Sequence, residues 1–187
     1  QTVVPGLDIV TMAGAGPYDL SHLHYLMVET TRPVGVEELR EALWEAPRIA
    51  FVRGADGLVA LNSVIELMRD LRRPRNDMWE VAVWEDGLAA DGHDLYITLQ
   101  VHNEAVVVPE NVDCIRALSG IEPDGARSIE KTDRAMGIVK DFLPATSGRA
   151  APSAPSSTFS SARARYVQEG FKGSEEPTDP SPPAEQS

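Results

Sequence analysis

Leu95, Ile97, Leu99 and Val101 alternate strictly with Tyr96, Thr98 and Gln100. Successive side chains on a strand point to opposite faces, so this pattern demands a sheet with one face buried against the rest of the chain. The residues after it narrow the choice further. The stretch Val101-His102-Asn103-Glu104-Ala105-Val106-Val107-Val108-Pro109-Glu110-Asn111-Val112-Asp113-Cys114-Ile115-Arg116-Ala117 runs from that strand into a helix opened by Pro109. Proline suits a first helical turn, where its missing N–H has no partner to lose. Polar residues with no packing role sit at the join. Such a junction can aim side chains outward from a rigid scaffold, and functional groups concentrate there.

The other segments fill in an α+β layout. Residues 7–13 alternate in part and read as a strand, broken by Gly14-Ala15-Gly16-Pro17. Leu20 to Glu29 reads as a second strand, with His22, His24, Leu26 and Val28 on one face and Leu23, Tyr25 and Met27 on the other. Apolar residues on both faces predict a central strand. Val36, Leu39 and Leu43 fall at helical spacing before Pro47, and Leu58, Leu61, Ile65 and Met68 mark a second amphipathic helix. Arg48 to Val52 and Trp79 to Trp84 read as strands, Asp91-Gly92 as a hairpin turn, and Ile129, Thr132, Met136 and Val139 as a last helix. The order predicts a mainly antiparallel sheet with helices packed on one face. Residues 1–144 form the expected domain. Residues 145–187 are rich in Ser, Pro and Ala without an apolar period, the composition of a disordered tail.

Charge and composition exclude some roles. The 187 residues carry a net charge of −12, which disfavours a nucleic-acid backbone or an anionic membrane as partner. No apolar run approaches the ~20 residues of a membrane span. Cys114 is the one cysteine, so there is no internal disulfide and no thiol-rich metal site. A cytoplasmic protein fits these features. The chain begins at Gln1 with the apolar pair Val3-Val4, as if already within a domain, which suggests a processed or truncated product.

Several residues can carry chemistry. His22-Leu23-His24 puts two imidazoles on one strand face, a spacing that can hold a metal, but no third ligand is evident nearby and no metal site is expected. Histidine titrates near neutral pH, so a general base is the better functional reading, against the plainer one of a packed or solvated side chain. Asn103 offers a donor and an acceptor, matching a carboxamide ligand, or else it simply caps a turn. Cys114 lies on an apolar helical face and reads as inert packing. The Arg72-Arg73-Pro74-Arg75 run can meet a phosphate or a carboxylate, though most such runs are solvated surface. Gly14-Ala15-Gly16 lacks a third glycine and precedes a proline, so it makes a poor phosphate loop.

The stretch 101–117, together with Arg69-Asp70-Leu71-Arg72-Arg73-Pro74-Arg75-Asn76-Asp77, Glu80-Val81-Ala82-Val83-Trp84-Glu85-Asp86, residues 7–13 and Met136-Gly137-Ile138-Val139-Lys140, closely resembles the archaeal type of glyceraldehyde-3-phosphate dehydrogenase. The resemblance runs from about Gln1 to Pro144. It implies a partial catalytic domain with its C-terminal helix. The implied enzyme oxidises glyceraldehyde 3-phosphate with phosphate and NAD or NADP to 1,3-bisphosphoglycerate, in glycolysis or gluconeogenesis, as a homotetramer. By position, the family's catalytic histidine falls on His22, and the residue that touches the nicotinamide carboxamide falls on Asn103. Two departures stand out. Pro17-Tyr18-Asp19-Leu20-Ser21 replaces the family's Pro-Thr-Thr-Leu-Met, a more polar approach to the histidine. Asn103 replaces Gln and is one methylene shorter. The nucleotide-binding half, the Ser-Cys-Asn-Thr-Thr nucleophile segment and the paired phosphate-holding histidines are expected upstream of Gln1. By itself the chain is therefore expected to be inactive. An inactive subunit-contact module, or part of a related semialdehyde dehydrogenase, are the alternatives.

Overall fold

The computed structural model describes residues 8–12, 14 and 20–143. The expected tail, 145–187, lies outside the described residues. So do residues 7 and 13 of the first expected strand. Its remaining residues, 8–12, form no strand, and Val10 and Met12 are almost wholly exposed.

The described elements run β1 (Ser21–Glu29), α1 (Val36–Glu45), β2 (Ile49–Val52), α2 (Leu61–Asp70), β3 (Val81–Trp84), β4 (Ala89–Asp91), β5 (Asp94–His102), α3 (Val107–Leu118) and α4 (Gly125–Met136). The strands form one sheet in the order β1-β5-β3-β2, with β4 also paired to β5. Strand β5 is the spine. It pairs antiparallel with β1 along its whole length, Ser21 facing His102 and Glu29 facing Asp94. On its other side it pairs antiparallel with β3 near Gln100 and with β4 near Leu95. The turn between β4 and β5 is Gly92-His93, with Gly92 at φ +62°, the left-handed conformation that a two-residue hairpin turn favours. The pairing of β2 with β3 is parallel. The class is thus α+β with a mainly antiparallel, mixed sheet.

The helices do not share one face, contrary to expectation. Ala50, Val52 and Ala82 pack with Val64 and Met68 of α2, while Phe51 and Val83 pack with Leu39 of α1. Neighbours on a strand point to opposite faces, so α2 and α1 cover opposite sides of the β2–β3 end. In α2, Leu61, Val64 and Met68 make the buried stripe, and Leu58 packs ahead of the helix. Each fully buried side chain such as Met68 or Val64 contributes about 1.5–3 kcal/mol.

Strand β1 is the principal correction to the layout. Among the described residues it pairs with β5 alone, so it stands at the edge of the sheet rather than in the centre. Tyr25 and Met27 are largely exposed on one face, and Leu26 and Val28 partly exposed on the other. The opposite edge is closed by the residues after α4. Phe51 N–H donates to the Lys140 carbonyl at 3.0 Å, Asp141 bridges in parallel to Phe51, and Phe142 enters the core beside α2.

Two features near the termini of helices refine the layout. Helix α3 begins two residues before Pro109, which stays in the first turn, where helix N–H groups need no intrahelical acceptor. Helix α4 stops at Met136 because Gly137 turns left-handed, φ +69°, and Val139 lies beyond it. Asp124 caps its start, accepting from the N–H groups of Ala126 and Arg127.

Candidate active site

The antiparallel register of β1 and β5 decides where the site forms. His22 stands opposite Val101, one residue from the end of the ladder. Asn103 follows immediately after β5, and its N–H donates to the Leu20 carbonyl at 3.1 Å, extending the ladder by one bond. The two side chains project from the same side of the sheet, and Asn103 Nδ2 lies 3.2 Å from His22 Nε2. An amide nitrogen only donates, so Nε2 is the acceptor in this contact. The shorter amide of Asn103 thus spans the gap to the imidazole. Both residues are exposed, at the open end of the edge strand.

The layer beneath them is polar and buried. Gln100, fully buried on the opposite face, donates from Nε2 to Ser21 Oγ at 3.0 Å and to the Leu61 carbonyl at 3.3 Å. This clamps the residue before His22 to the start of α2. The Ser21 hydroxyl therefore faces away from His22 and does not make the histidine's surroundings more polar. His102, 3% exposed, follows Gln100 on the same buried face by alternation. Among the described residues neither of its ring nitrogens has a hydrogen-bond partner, and Nδ1 lies 3.9 Å from Asp77 Oδ1. Burial pushes the His102 imidazole below its ordinary range. Asp77 and Glu104 oppose that shift, and Arg75 adds to it. The His102 carbonyl accepts from Val106 N–H at 3.0 Å, which folds residues 103–106 into the turn that starts α3.

The remaining candidates are placed elsewhere. The rings of His22 and His24 are 6.2 Å apart and tilted, both on exposed positions. Among the described residues no group of three or more His, Cys, Asp or Glu side chains could hold a metal ion. Cys114 is exposed on α3 rather than packed in an apolar face. The arginine run is partly absorbed by the fold. Arg73 pairs with the buried Glu80 through two bonds of 2.7 and 2.8 Å and lies against the rings of Trp79 and Phe142. Glu80 in turn accepts from Val139 N–H at 2.9 Å, so this pair fixes the segment after α4 and is not free for phosphate. Arg75 reaches back to Asp77 at 3.1 Å.

Sequence reasoning missed His102, Asp77 and Gln100 as parts of the site. One signal was available: the alternation that places Thr98 and Gln100 on a common face continues through His102, so its ring belongs to the buried layer and not to the turn.

No protein-family model matches the chain. Among curated proteins, the glyceraldehyde-3-phosphate dehydrogenase of Metallosphaera sedula is 44% identical over 143 residues, which is 76% of this chain and 42% of that protein. That of Methanobacterium bryantii is 44% identical over 139 residues, 74% of this chain and 41% of that protein. That of Methanobacterium formicicum is 42% identical over 139 residues, with the same coverage. All three relatives are named as dehydrogenases. The chain is similar to these archaeal glyceraldehyde-3-phosphate dehydrogenases over about three quarters of its own length, and it spans about two fifths of theirs. No helix among the described residues is long and apolar enough to cross a membrane.

Proposed function

We propose that the chain supplies the proton-handling corner of a phosphorylating, NAD- or NADP-dependent glyceraldehyde-3-phosphate dehydrogenase. The observation that carries the reading is the convergence of His22 and Asn103, at 3.2 Å, in a chain 44% identical to an archaeal relative over 143 residues. In this reading the substrates are glyceraldehyde 3-phosphate and phosphate, the product is 1,3-bisphosphoglycerate, and the setting is cytoplasmic.

The residues present fit one end of the cofactor. The exposed Asn103 amide has Nδ2 engaged by His22, which leaves a carbonyl oxygen and a second N–H for a carboxamide of complementary shape. The nicotinamide, when bound, accepts the hydride. In this reading the rest of the dinucleotide and the reacting thiol are held by a nucleotide-binding, thiol-bearing part of the enzyme. When the Asn103 amide turns to its ligand, Nε2 of His22 is released with its lone pair exposed. A neutral imidazole in that state takes the thiol proton, gives it to the oxygen that becomes the hydroxyl when the thiolate adds to the aldehyde, and takes that hydroxyl proton back as the hydride leaves. The apolar residues exposed on β1, Tyr25 and Met27 foremost, support assembly into a homo-oligomer, a tetramer in this reading.

Two assays test the proposal. With a polypeptide that joins this chain to a nucleotide-binding, thiol-bearing part, His22→Ala lowers turnover by about 10²–10⁴. Unchanged turnover removes the role. The 187-residue chain alone gives no aldehyde-dependent NADP reduction, and activity there would contradict the division of labour.

A further inference from the structure

We propose that His102 and Asp77 form a buried, proton-responsive pair that sets the reach of Asn103 toward His22, with His102 acting as a positioning residue. The relevance of the pair to catalysis rests on the role proposed above for Asn103, but the geometry stands by itself. The His102 ring is closed from solvent, has no hydrogen-bond partner among the described residues, and faces a carboxylate oxygen across 3.9 Å. A buried polar group is ordinarily hydrogen-bonded, and one that is not stands where small changes have large effects.

The charged groups that face His102 are Asp77 ahead of β3, Glu104 after β5 and Arg75 in the loop between α2 and β3. At neutral pH the ring is uncharged, because burial outweighs the two carboxylates. Asp77 is occupied on its other oxygen by Arg75 at 3.1 Å, which holds the carboxylate in place. Protonation turns the 3.9 Å gap into an attraction between a cation and an anion, and a charge-assisted bond settles near ~2.8 Å. The difference is about 1 Å of travel for the His102 ring. Asn103 is the next residue, tied through its N–H to Leu20. A shift of the ring is passed to Asn103 through the peptide the two residues share, whereas His22 stands on β1, one strand over, and on the face opposite the buried ring. A misplacement of about 1 Å in a positioning group is worth as much as ~10²-fold in rate. Acid thus loosens the site before the fold as a whole gives way.

The test is a pH titration of the 187-residue chain by NMR, following the ring nitrogens of the four histidines and the side-chain amide of Asn103 from about pH 8 to about pH 5. His102 should titrate below the ordinary histidine range, and the Asn103 amide should show two steps, one with His22 and one with His102. In His102→Gln the second step disappears and the first remains. In Asp77→Asn the His102 midpoint falls further, because a supporting carboxylate is gone. An Asn103 amide that follows His22 alone in the unaltered chain overturns the proposal, as does a His102 that titrates with the ordinary value. Failure here leaves the His22→Ala result standing, and unchanged turnover in His22→Ala leaves this coupling standing, so the two readings fail separately.

Discussion

Arg48 and His102 are both basic side chains closed off from solvent, at the same end of the sheet and two strands apart, and the fold treats them in opposite ways. Arg48 sits at the entry to β2 in a left-handed conformation, φ +58°, with its side chain 5% exposed. Its guanidinium meets three carboxylates: Glu110 at 2.7 Å, Asp133 at 2.7 Å, and Asp113. Asp113 also accepts from Ser128 at 2.6 Å and Thr132 at 2.7 Å, and Arg116 joins from α3. Burial works against the Arg48 charge, but the carboxylates raise its proton affinity above the ordinary value. His102 meets one carboxylate, beyond hydrogen-bond distance. The satisfied cluster ties β2 to α3 and α4 and has no freedom left. The unsatisfied ring lies one residue from the candidate site and keeps a second arrangement within reach. The lesson is that rigidity and responsiveness are separated by the completeness of the polar network, not by distance, since both residues lie along one end of the sheet.

The largest effect that can break this comparison is on stability. Arg48→Ala leaves three carboxylates without their shared cation, and loss of one partner in a buried ion pair costs about 3–5 kcal/mol. The outcome should fall at the lower end, because Glu110 is itself well exposed and can return to water. His102→Leu removes a polar group that has little to lose and should cost no more than about 1.5 kcal/mol. Urea unfolding of the two variants compares them directly, and equal losses would erase the distinction.

Acid sharpens it at an intermediate scale. Burial alone would raise the Asp113 carboxyl, but hydrogen bonds from Ser128, Thr132 and Arg48 bring it below its usual value. A lowered folded-state value contributes stability that is present above the unfolded value of ~3.9 and lost as pH falls through the folded one. The chain should therefore weaken below about pH 4, and Asp113→Asn should flatten that part of the stability profile while lowering the plateau. His102, also lowered, gives a smaller slope that begins near ~6.5, where the unfolded chain starts to take up a proton the folded one refuses. His102→Leu should abolish that slope and leave the acid one in place. Unfolding free energies measured across this range read both.

Much of the scaffold was legible because half-buried elements advertise their period. The alternation of β5 and the stripes of α1 and α2 all report burial on one side. Strand β1 misled for the same reason. Apolar residues on both faces signal that something covers them, not what does, and among the described residues nothing covers Tyr25 or Met27. The end of α4 was misplaced by the apolar Val139, although Gly137 carried the stop signal. Parallel pairing of β2 with β3 has no local signature, and the partners of Arg48 are scattered 62 to 85 residues away. His22 and Asn103 were identified by resemblance rather than by pattern. Their contact across 81 residues depends on strand register, which periodicity alone does not fix.

The most direct measurement of the central claim is a double-mutant cycle between His22→Ala and Asn103→Ala. It is read as kcat/KM in a polypeptide that carries this chain with its nucleotide-binding part. Side chains that share one reacting corner are coupled by roughly 0.5–3 kcal/mol, so the double variant should lose less than the two single losses combined. Losses that simply add, or single variants as active as the unaltered protein, would contradict it.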